Sequence, residues 1–414
     1  MNILNILVPI IVLSIIIIPL TLLLVYAKQK LTPNIKLKIN INNTKEIEAE
    51  YGNTLINALY ENKIYLPSGC GGKGSCGTCK CQVLEGGGEI LQTEIPFFTY
   101  SQIQNKWRLA CQVKVKDNLK ISIPSELLEV KKFVCEVVSN KNVSTYIKEL
   151  VLKVPDNQKF EFKSGGFIQV TIPPCTVDFS KDIIVEDEYK DEWTKYDLWS
   201  LKMINKEYTT RAYSLANYPS EGNIIMLNVR IATPPWDKKK NRFLKVNPGI
   251  GSSYLFSLKP KDMVEVSGPY GEFFLKDTNR EMMFIGGGAG MAPMRSHIFH
   301  LFYTLNTKRM VTFWYGARSK REIFYEQEFR EIERKFENFK FFIALSEPKK
   351  EDNWTGFVGF IHQVVYDNYL KNHPEPENIE YYICGPPLML KAVLNMLDNL
   401  GVPKELIAYD DFGS

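Results

Sequence analysis

The chain has 414 residues, of which 45% are hydrophobic and 24% are charged, and its formal net charge is +4. This length predicts several domains that can each bury a core. The 51 basic residues are nearly balanced by 47 acidic ones, and no basic tract is interleaved with aromatic residues, which argues against a nucleic-acid partner. The eight cysteines are too few and too clustered for a disulfide scaffold, which favours a reducing compartment.

The first predicted element is a membrane-spanning helix within residues 1–27. This segment carries no charged side chain, and residues 3–26 are almost continuously apolar, which is long enough to cross a bilayer. Pro9 and Pro19 interrupt it, as membrane helices tolerate. A secretory signal peptide is the alternative, but it would have a basic start and a shorter apolar core. The charges that follow are lysines, so the positive-inside rule predicts a single-pass anchor with the rest of the chain on the cytoplasmic side.

Residues 33–128 are predicted to form a second domain. The segments KLKININ and KEIEAEYG alternate as a strand hairpin, and TLINALYENKI has the period of a short amphipathic helix. A glycine-rich loop follows, and KISIPSELL supplies a closing strand. This order resembles that of the β-grasp ferredoxins, which implies an α+β fold.

The loop PSGCGGKGSCGTCKC contains three cysteines at C-x5-C-x2-C, and a fourth lies further on in WRLACQV. A [2Fe–2S] cluster takes four thiolates, three of them from one loop. The glycines allow the loop to wrap an inorganic core, because glycine adopts backbone angles that a Cβ forbids. The predicted iron ligands are Cys70, Cys76, Cys79 and Cys111.

The same loop resembles that of plant-type ferredoxins, with one departure. The plant-type spacing is C-x4-C-x2-C, whereas the first gap here has five residues. A structural zinc site is the alternative, but such sites usually have two short cysteine pairs, and Cys111 is distant. Cys81 is an additional thiol that could serve as a ligand, but we interpret it as a strand residue next to the cluster.

Residues 130–276 are rich in predicted strands separated by turn residues, as in a small antiparallel barrel. The strand segments are FVCEVVSNKNVS, IKELVLKVP, GFIQVTIP, NIIMLNVRI and DMVEVSGPYGEFF. Residues 176–205 form an acidic, Trp-containing insertion. Two interpretations of this insertion are open, a docking surface or a solvated loop.

Two motifs within this domain carry the chemistry. In RAYSLA, Arg211 can pair with a pyrophosphate, Tyr213 can stack on an aromatic ring, and Ser214 can hydrogen-bond flavin N5. In PGIGSSYLFSL, glycines and serines at the start of a helix can hold a phosphate. Together they resemble the FAD-binding barrel of the ferredoxin–NADP⁺ reductase superfamily. The predicted cofactor-binding residues are Arg211, Ala212, Tyr213, Ser214, Asn228, Gly249, Gly251, Ser252 and Ser253.

Residues 280–414 alternate between strand and helix periods, which predicts a doubly wound parallel α/β sheet. GGGAGM ends the first strand and opens a helix, where a pyrophosphate could sit. ICGPP adds a second strand end at the same edge, where the reductase superfamily binds nicotinamide. The predicted nucleotide-binding residues are Gly287, Gly288, Ala289, Gly290, Cys384 and Gly385.

The order of these four parts is more specific than any single motif. With SGCGGKGSCGTC, RAYSLA, NVRIATPP, YGARSKREIFY and YDDFG, it resembles the F subunits of the Na⁺-translocating NADH:quinone oxidoreductases of bacterial inner membranes. The resemblance implies that NADH delivers a hydride to non-covalent FAD, which hands single electrons to the cluster and on to other subunits. It also implies catalytic roles for Ser214 and Cys384.

Two other function classes remain open. The first is the reductase component of an oxygenase, which has the same three catalytic domains but is usually soluble. The second is a non-catalytic electron carrier or membrane scaffold with degenerate reductase domains. The apolar N-terminal segment argues against the first, and the intact motif residues argue against the second.

Two finer expectations concern specificity and flavin protection. Arg318, Lys320 and Arg321 follow the second strand of the nucleotide domain, where basic residues can hold a 2′-phosphate. The family resemblance nevertheless implies NADH, and the cluster is also consistent with solvated loop charges. In the resembling superfamily an aromatic residue near the chain end covers the flavin face, which suggests Phe412 rather than Tyr409. Simple packing of Phe412 against the barrel is the alternative.

Overall fold

The computed structural model describes residues 12–23, 26, 35–237 and 239–412. They form two compact units that divide between Glu129 and Val130. Residues 12–23 form a helix, α1. Within the described ranges, no helix combines the length and the apolarity needed to cross a membrane. The remainder of the predicted span, residues 1–11, 24–25 and 27, lies outside the described residues.

The first unit contains a small mixed sheet. Its elements are β1 (Lys36–Ile41), β2 (Lys45–Glu50), α2 (Leu55–Glu61), β3 (Lys80–Glu85), α3 (Tyr100–Gln104), β4 (Trp107–Leu109) and β5 (Leu119–Ser122). The sheet order is β2-β1-β5-β3-β4. β1 and β2 form the predicted hairpin, and β5 pairs in parallel with β1 at the centre. The predicted α+β arrangement is therefore present, with the cysteine loop between α2 and β3.

The second unit begins with a β-rich region. Its elements are β6 (Lys131–Ser144), β7 (Ile147–Lys153), β8 (Phe167–Ile172), β9 (Cys175–Asp178), α4 (Phe179–Asp182), α5 (Lys190–Lys195), β10 (Lys202–Asn205), β11 (Thr209–Ser214), β12 (Ile224–Arg230), β13 (Trp236–Asp237), β14 (Arg242–Phe243), α6 (Ile250–Ser257) and β15 (Met263–Tyr270). Six strands pair antiparallel in the order β11-β8-β15-β6-β7-β12. A bridge between Leu215 and Leu227 closes the sheet into the predicted barrel.

The insertion at residues 176–205 is an ordered layer packed on this barrel. Phe179 and Trp193 are fully buried in the barrel core. The indole Nε1 of Trp193 donates to the carbonyl of Thr145 at 2.8 Å, which satisfies its one polar group. The interpretation of this segment as a solvated loop is therefore wrong. Apolar side chains interspersed among the acidic ones turn inward and bury enough surface to fix the segment.

The rest of the second unit is an α/β region. Its elements are β16 (Met282–Gly287), α7 (Met291–Phe299), β17 (Val311–Ala317), α8 (Glu326–Lys335), β18 (Phe339–Leu345), β19 (Phe357–Val358), α9 (Ile361–Asn368), β20 (Glu380–Cys384), α10 (Pro387–Asn399) and β21 (Ile407–Asp410). All strands are parallel, in the order β19-β18-β17-β16-β20-β21. Separate apolar clusters cover the two faces, as predicted for a doubly wound sheet. The strand order reverses at β16 and β20, whose carboxyl ends form the crevice where such sheets bind ligands.

Candidate cluster, flavin and nucleotide sites

The four predicted iron ligands lie together as two pairs of thiols. A hydrogen bond from Cys76 lowers the pKa of Cys70 to about 4, which links these two thiols as one pair. A hydrogen bond likewise joins Cys79 and Cys111 and lowers the pKa of Cys111 to about 7. No group of three or more His, Cys, Asp or Glu in the described ranges is arranged to hold one metal ion. Two neighbouring thiol pairs provide the donor set that a two-iron cluster requires.

The loop around the thiols is held in backbone conformations that favour glycine. Gly74 and Gly77 have φ angles of +78° and +69°. A Cβ on Gly74 would collide with the side chain of Gln112, and a Cβ on Gly77 would collide with the ring of Phe97. These glycines therefore allow the loop to pack tightly while it keeps its turns.

Several polar groups point at the sulfurs. The backbone N–H groups of Ser75 and Cys76 hydrogen-bond to Cys70, and that of Gly74 hydrogen-bonds to Cys111. The amide Nε2 of Gln112 donates to the Cys111 sulfur at 3.6 Å. Such donors stabilise thiolates and tune a cluster potential. Gln112 follows Cys111 directly, but a single amide carries no sequence pattern, so no motif indicated this donor.

Cys81 lies in β3 and is fully buried in the apolar core of the first unit. Burial raises the pKa of its thiol to about 12. A thiol in this environment stays protonated and inert. This placement agrees with the interpretation of Cys81 as a strand residue.

The residues predicted to bind flavin meet where β11 and α6 approach each other. Gly251 lies in the first turn of α6. A Cβ at Gly251 would lie 2.6 Å from the Tyr213 hydroxyl and 2.9 Å from Cγ of Arg211. RAYSLA and PGIGSSYLFSL are about 40 residues apart in the chain, yet they form one surface. The missing side chain of Gly251 lets Arg211 and Tyr213 approach the N-terminus of α6, where an anion is favoured.

The two serines of this helix turn have different partners. The Ser252 hydroxyl accepts from the Ala232 N–H at 3.0 Å and lies 3.2 Å from the Gly249 carbonyl, so it holds the entry to α6. The Ser253 hydroxyl is fully buried and has no hydrogen-bond partner within the described structure. A buried hydroxyl without a partner costs free energy, which a phosphate oxygen could recover. The residues present therefore fit an FAD pyrophosphate.

The predicted catalytic residues Ser214 and Cys384 are joined by a third residue, Asp410. The Ser214 hydroxyl at the end of β11 donates to Asp410 Oδ2 at 2.7 Å. Asp410 and the fully buried Cys384 are register partners at the ends of β21 and β20. Burial raises the pKa of the Asp410 carboxyl, and the Ser214 hydrogen bond opposes this shift in part. The barrel and the parallel sheet therefore meet at one polar site.

Asp410 is a functional candidate that no sequence motif indicated. It lies in the YDDFG segment, which supported only the family resemblance and the aromatic lid. The available signal was a pair of carboxylates at the end of the final predicted strand. Its partner is 196 residues away, so nothing local indicated the contact.

The glycines predicted to bind the nucleotide hold the ends of β16 and β20 in close contact. A Cβ on Gly290 would collide with the carbonyl of Cys384. A Cβ on Gly287 would lie 2.9 Å from the sulfur of Met389. Gly385 is similarly restricted, since its Cβ would lie 3.2 Å from the Gly287 nitrogen. Gly288 has a φ of +56°, and with the half-buried Ala289 it completes the turn into α7.

Ala212 and Asn228 occupy different positions in the barrel. Ala212 is exposed in β11, on the strand that carries Arg211 and Tyr213. Asn228 is buried in β12, and its Nδ2 donates to the hydroxyl of Tyr325 at 2.7 Å. That hydroxyl in turn donates to Glu149 at 2.5 Å. Asn228 therefore lies where the barrel contacts the segment that enters α8.

Phe412 and Tyr409 are both partly exposed near the end of the chain. Tyr409 lies in β21, as expected, and its side chain is 52% exposed. Phe412 follows β21 and is 48% exposed. The alternative in which Phe412 packs as a core residue is not supported by this exposure.

The three basic residues after β17 do not extend into solvent as free loop charges. Arg318 pairs with Glu192 at 2.6 Å, and Arg321 pairs with Asp191 at 2.7 Å. The ammonium group of Lys320 donates to the carbonyl of Asp352 at 3.3 Å. The interpretation of solvated charges is therefore wrong for the two arginines, which contact the insertion.

Three family models match successive parts of the chain. The 2Fe-2S iron-sulfur cluster binding domain matches residues 39–116, the oxidoreductase FAD-binding domain matches residues 194–275, and the oxidoreductase NAD-binding domain matches residues 284–395. These matches confirm the three predicted cofactor classes.

Solved structures with the same fold include a cytochrome P450 reductase from Amycolatopsis. It is 20% identical, has a TM-score of 0.63, and the match covers 91% of this chain and 98% of that chain. A ferredoxin reductase of carbazole 1,9a-dioxygenase is 23% identical, with a TM-score of 0.59 and coverage of 92% and 99%. At these identities the likeness shows the fold alone.

Curated relatives are similar over almost the whole chain. The F subunit of the Na(+)-translocating NADH-quinone reductase of Methylococcus capsulatus is 52% identical, over 96% of this chain and 97% of that protein. The corresponding protein of Yersinia enterocolitica is also 52% identical, over 97% of each. The chain belongs to the family of Na(+)-translocating NADH-quinone reductase F subunits.

Proposed function

We propose that this chain is the NADH-oxidising, electron-input subunit of a membrane-bound Na⁺-translocating NADH:quinone reductase. The observation that carries the proposal is the contact between Ser214 and Asp410 at 2.7 Å. It brings the end of β11, which carries the predicted flavin-binding residues, against the ends of β20 and β21 in the parallel sheet. A hydride donor and its acceptor must be held in contact for transfer, and this junction suits that purpose.

The proposed domains are an anchor at 1–27, a [2Fe–2S] domain at 33–128, an FAD barrel at 130–276 and an NAD domain at 280–414. The three matching family models lie within the last three of these ranges and support them. When bound, FAD would supply two-electron acceptance from NADH with release of single electrons, and the [2Fe–2S] cluster would supply one-electron transfer. The sequence of cofactors thus converts a two-electron donor into single-electron output to other subunits.

Each cofactor has a proposed set of holding residues. Cys70, Cys76, Cys79 and Cys111 would hold the cluster, and they already lie together as two hydrogen-bonded thiol pairs. In the barrel, the residues proposed to bind FAD are Arg211, Ala212, Tyr213, Ser214, Asn228, Gly249, Gly251, Ser252 and Ser253. In the parallel sheet, those proposed to bind NADH are Gly287, Gly288, Ala289, Gly290, Cys384 and Gly385.

Ser214, Cys384 and Phe412 are proposed to act at the reacting rings. Ser214 would position its hydroxyl toward flavin N5, with Asp410 fixing its orientation. Cys384 is buried at the end of β20 and would line the nicotinamide position. The partly exposed Phe412 would cover the flavin and limit access of water when no nucleotide is bound.

A membrane anchor at the N-terminus is part of the proposal. Residues 12–23 are helical, and their apolar side chains are about half exposed or more, including Leu13, Ile15 and Leu22. Exposed apolar side chains all around a helix favour a lipid environment over water. The proposed location is a bacterial inner membrane, crossed once, with the catalytic domains on the cytoplasmic side. Its partners would be the other subunits of the complex.

The experiment uses the full chain produced in its own membranes. Detergent-solubilised complex is isolated through a tag on this chain, and the subunits that accompany it are identified by mass. The expected result is a set of membrane subunits together with a yellow-brown absorption spectrum that NADH bleaches under argon. Purification of the chain alone, or with a soluble oxygenase, would contradict the proposal. So would a bound flavin that NADH does not bleach.

A further inference from the structure

The loop after β17 is built to hold an anion but is already occupied by carboxylates of the same chain. It follows the second strand of the nucleotide sheet, the position where a basic residue holds the 2′-phosphate of NADP. Here Arg318 Nη2 lies 2.6 Å from Glu192 Oε2, and Arg321 Nη1 lies 2.7 Å from Asp191 Oδ1. Both carboxylates come from α5 in the 176–205 insertion.

Glu192 is fixed from several sides. It is 7% exposed, and the hydroxyl of Tyr146 donates to the same Oε2 at 2.9 Å. Its other oxygen lies 3.4 Å from Arg321 Nη2. Burial works to raise the pKa of Glu192, but the hydrogen bonds from Arg318 and Tyr146 outweigh it and hold the pKa below its usual value. The carboxylate is therefore ionised at neutral pH and shared by both arginines.

The guanidinium of Arg321 retains hydrogen-bonding capacity that these pairs do not use. Its Nε and Nη2 atoms are buried and make no hydrogen bond among the described residues, although Nη2 lies within ion-pair distance of Glu192. Its Nη1 donates both to Asp191 and to the carbonyl of Glu188, at 3.0 Å. An arginine with unused donors fits a phosphate, whose oxygens accept in pairs. The Glu192 carboxylate lies 3.4 Å from Nη2, and its negative charge repels a second anion from these donors.

We propose that the insertion selects against NADPH, because Glu192 and Asp191 bind or shield the arginine donors that a 2′-phosphate would need. The proposal rests on the proposed function, since it concerns the nucleotide of the same site. A 2′-phosphate brought to this loop would displace short, partly buried ion pairs and would be repelled by the Glu192 carboxylate. NADH carries a hydroxyl at the same position and meets neither penalty. The insertion thus sets nucleotide choice from outside the nucleotide-binding sheet.

The ion pairs have a second possible role, which is to fasten the insertion to the parallel sheet. In that case their removal would lower thermal stability and leave the ratio of nucleotide affinities unchanged. Calorimetric binding of 2′,5′-ADP and 5′-ADP to the full-length protein separates the two roles, because neither probe requires electron transfer. The same titrations stay informative if NADH fails to reduce the flavin, which would contradict only the proposed function.

The variants are Glu192→Gln, Asp191→Asn and the double variant. We expect affinity for 2′,5′-ADP and kcat/KM for NADPH to rise at least about tenfold in the double variant, because charge-assisted hydrogen bonds become available to the phosphate. The values for 5′-ADP and NADH should change little. Adding Arg318→Gln to the Glu192→Gln variant should abolish the gain. Asp187→Asn, which breaks an exposed pair with Lys190 in the same insertion, is the matched control.

Because Glu192 is buried, FAD content and circular dichroism establish that each variant folds. Asp191 is 61% exposed in its side chain, so Asp191→Asn provides a test that folding does not compromise. It should raise 2′,5′-ADP affinity by a smaller factor than the double variant. An unchanged ratio of 2′,5′-ADP to 5′-ADP affinity in folded Asp191→Asn and in the double variant would overturn the proposal. Wild-type protein that binds both probes equally would also overturn it.

Discussion

The cluster loop and the flavin–nucleotide junction assemble their chemistry in different ways. Three of the four thiols lie within residues 70–79, and the fourth stands beside Gln112, which donates to it. At the junction, Ser214 and Asp410 are 196 residues apart and meet only because a barrel strand and a sheet strand end at the same place. The loop takes its shape from its own backbone turns and packs on Gln112 and Phe97, whereas the junction depends on packing between two folded parts of one unit.

This difference determines how each site should respond to mutation. In the loop, a change to one ligand removes a donor that nothing else replaces. At the junction, several side chains together bind and position the flavin and the nucleotide. Single substitutions there should therefore weaken binding or catalysis without abolishing them. We therefore expect the largest effect at the cluster ligands and progressively smaller effects at the junction.

Replacement of any one of Cys70, Cys76, Cys79 or Cys111 by serine should remove the cluster, because each iron needs two thiolates. Iron counted per chain should fall sharply, and the paramagnetic signal of the reduced protein should disappear. Cys81→Ser is the control and should keep both iron and signal, since Cys81 is buried in β3. A full signal after loss of one of the four would remove that residue from the ligand set.

Ser214→Ala should slow flavin reduction by NADH about tenfold to a hundredfold, because the variant loses a hydrogen bond to a charged group at the junction. FAD content should remain that of the wild type. The rate is measured by anaerobic stopped-flow absorbance. Ser214→Thr keeps the hydroxyl and should recover most of the rate. Equal rates for the alanine variant and the wild type would show that this contact is only structural.

Gly251→Ala should lower the affinity for FAD about tenfold or more, because the new Cβ would lie 2.6 Å from the Tyr213 hydroxyl. The barrel should still fold, since Arg211 and Tyr213 can move when no ligand is present. Fluorescence titration of the flavin-free protein gives the affinity. Ser257→Ala at the far end of α6 is the matched control. An unchanged affinity would place the pyrophosphate elsewhere.

Asp410→Asn should stabilise the flavin-free protein at neutral pH by about 1 kcal/mol. Burial raises the pKa of Asp410, so the native chain holds this proton more tightly than the unfolded chain does. Stability from this group is therefore present below the ordinary carboxyl pKa and is lost as pH rises through the raised value. Urea unfolding at pH 3 and pH 8 should give equal free energies of unfolding for wild type and variant at pH 3 only. An equal difference in the free energy of unfolding between wild type and variant at both pH values would refute the raised pKa of Asp410.

Phe412→Ala should have the smallest effect, a change in NADH KM of about two- to fivefold, since a partly exposed aromatic contact is worth about 0.5–1 kcal/mol. Oxidation of the reduced flavin by oxygen should become faster. Phe360→Ala, at another exposed phenylalanine, should change neither. If Phe412 were a core residue instead, its loss would cost about 3–5 kcal/mol and leave NADH kinetics unchanged. A thermally weakened variant with normal kinetics would therefore refute the lid.

The amino-acid sequence determined the parts that depend on local pattern. Hydrophobic periods of two and 3.6 residues can be read from a short segment alone. They predicted the β1–β2 hairpin, the helix α2, the barrel strands, and the alternating strands and helices of the parallel sheet. The cysteine loop is equally local, because its glycines are needed wherever the chain turns around a cluster. These elements could be predicted before any contact between them was known.

Only the tertiary structure decided which distant residues share a site. Trp193 and Phe179 of the acidic insertion point inward and are buried in the barrel core. In the folded chain Glu192 forms an ion pair with Arg318, and Asp410 accepts a hydrogen bond from Ser214. The physical reason is the same in each case, since burial and ion pairing depend on what lies across a packed interface. Local sequence patterns do not indicate which residues face each other across such an interface.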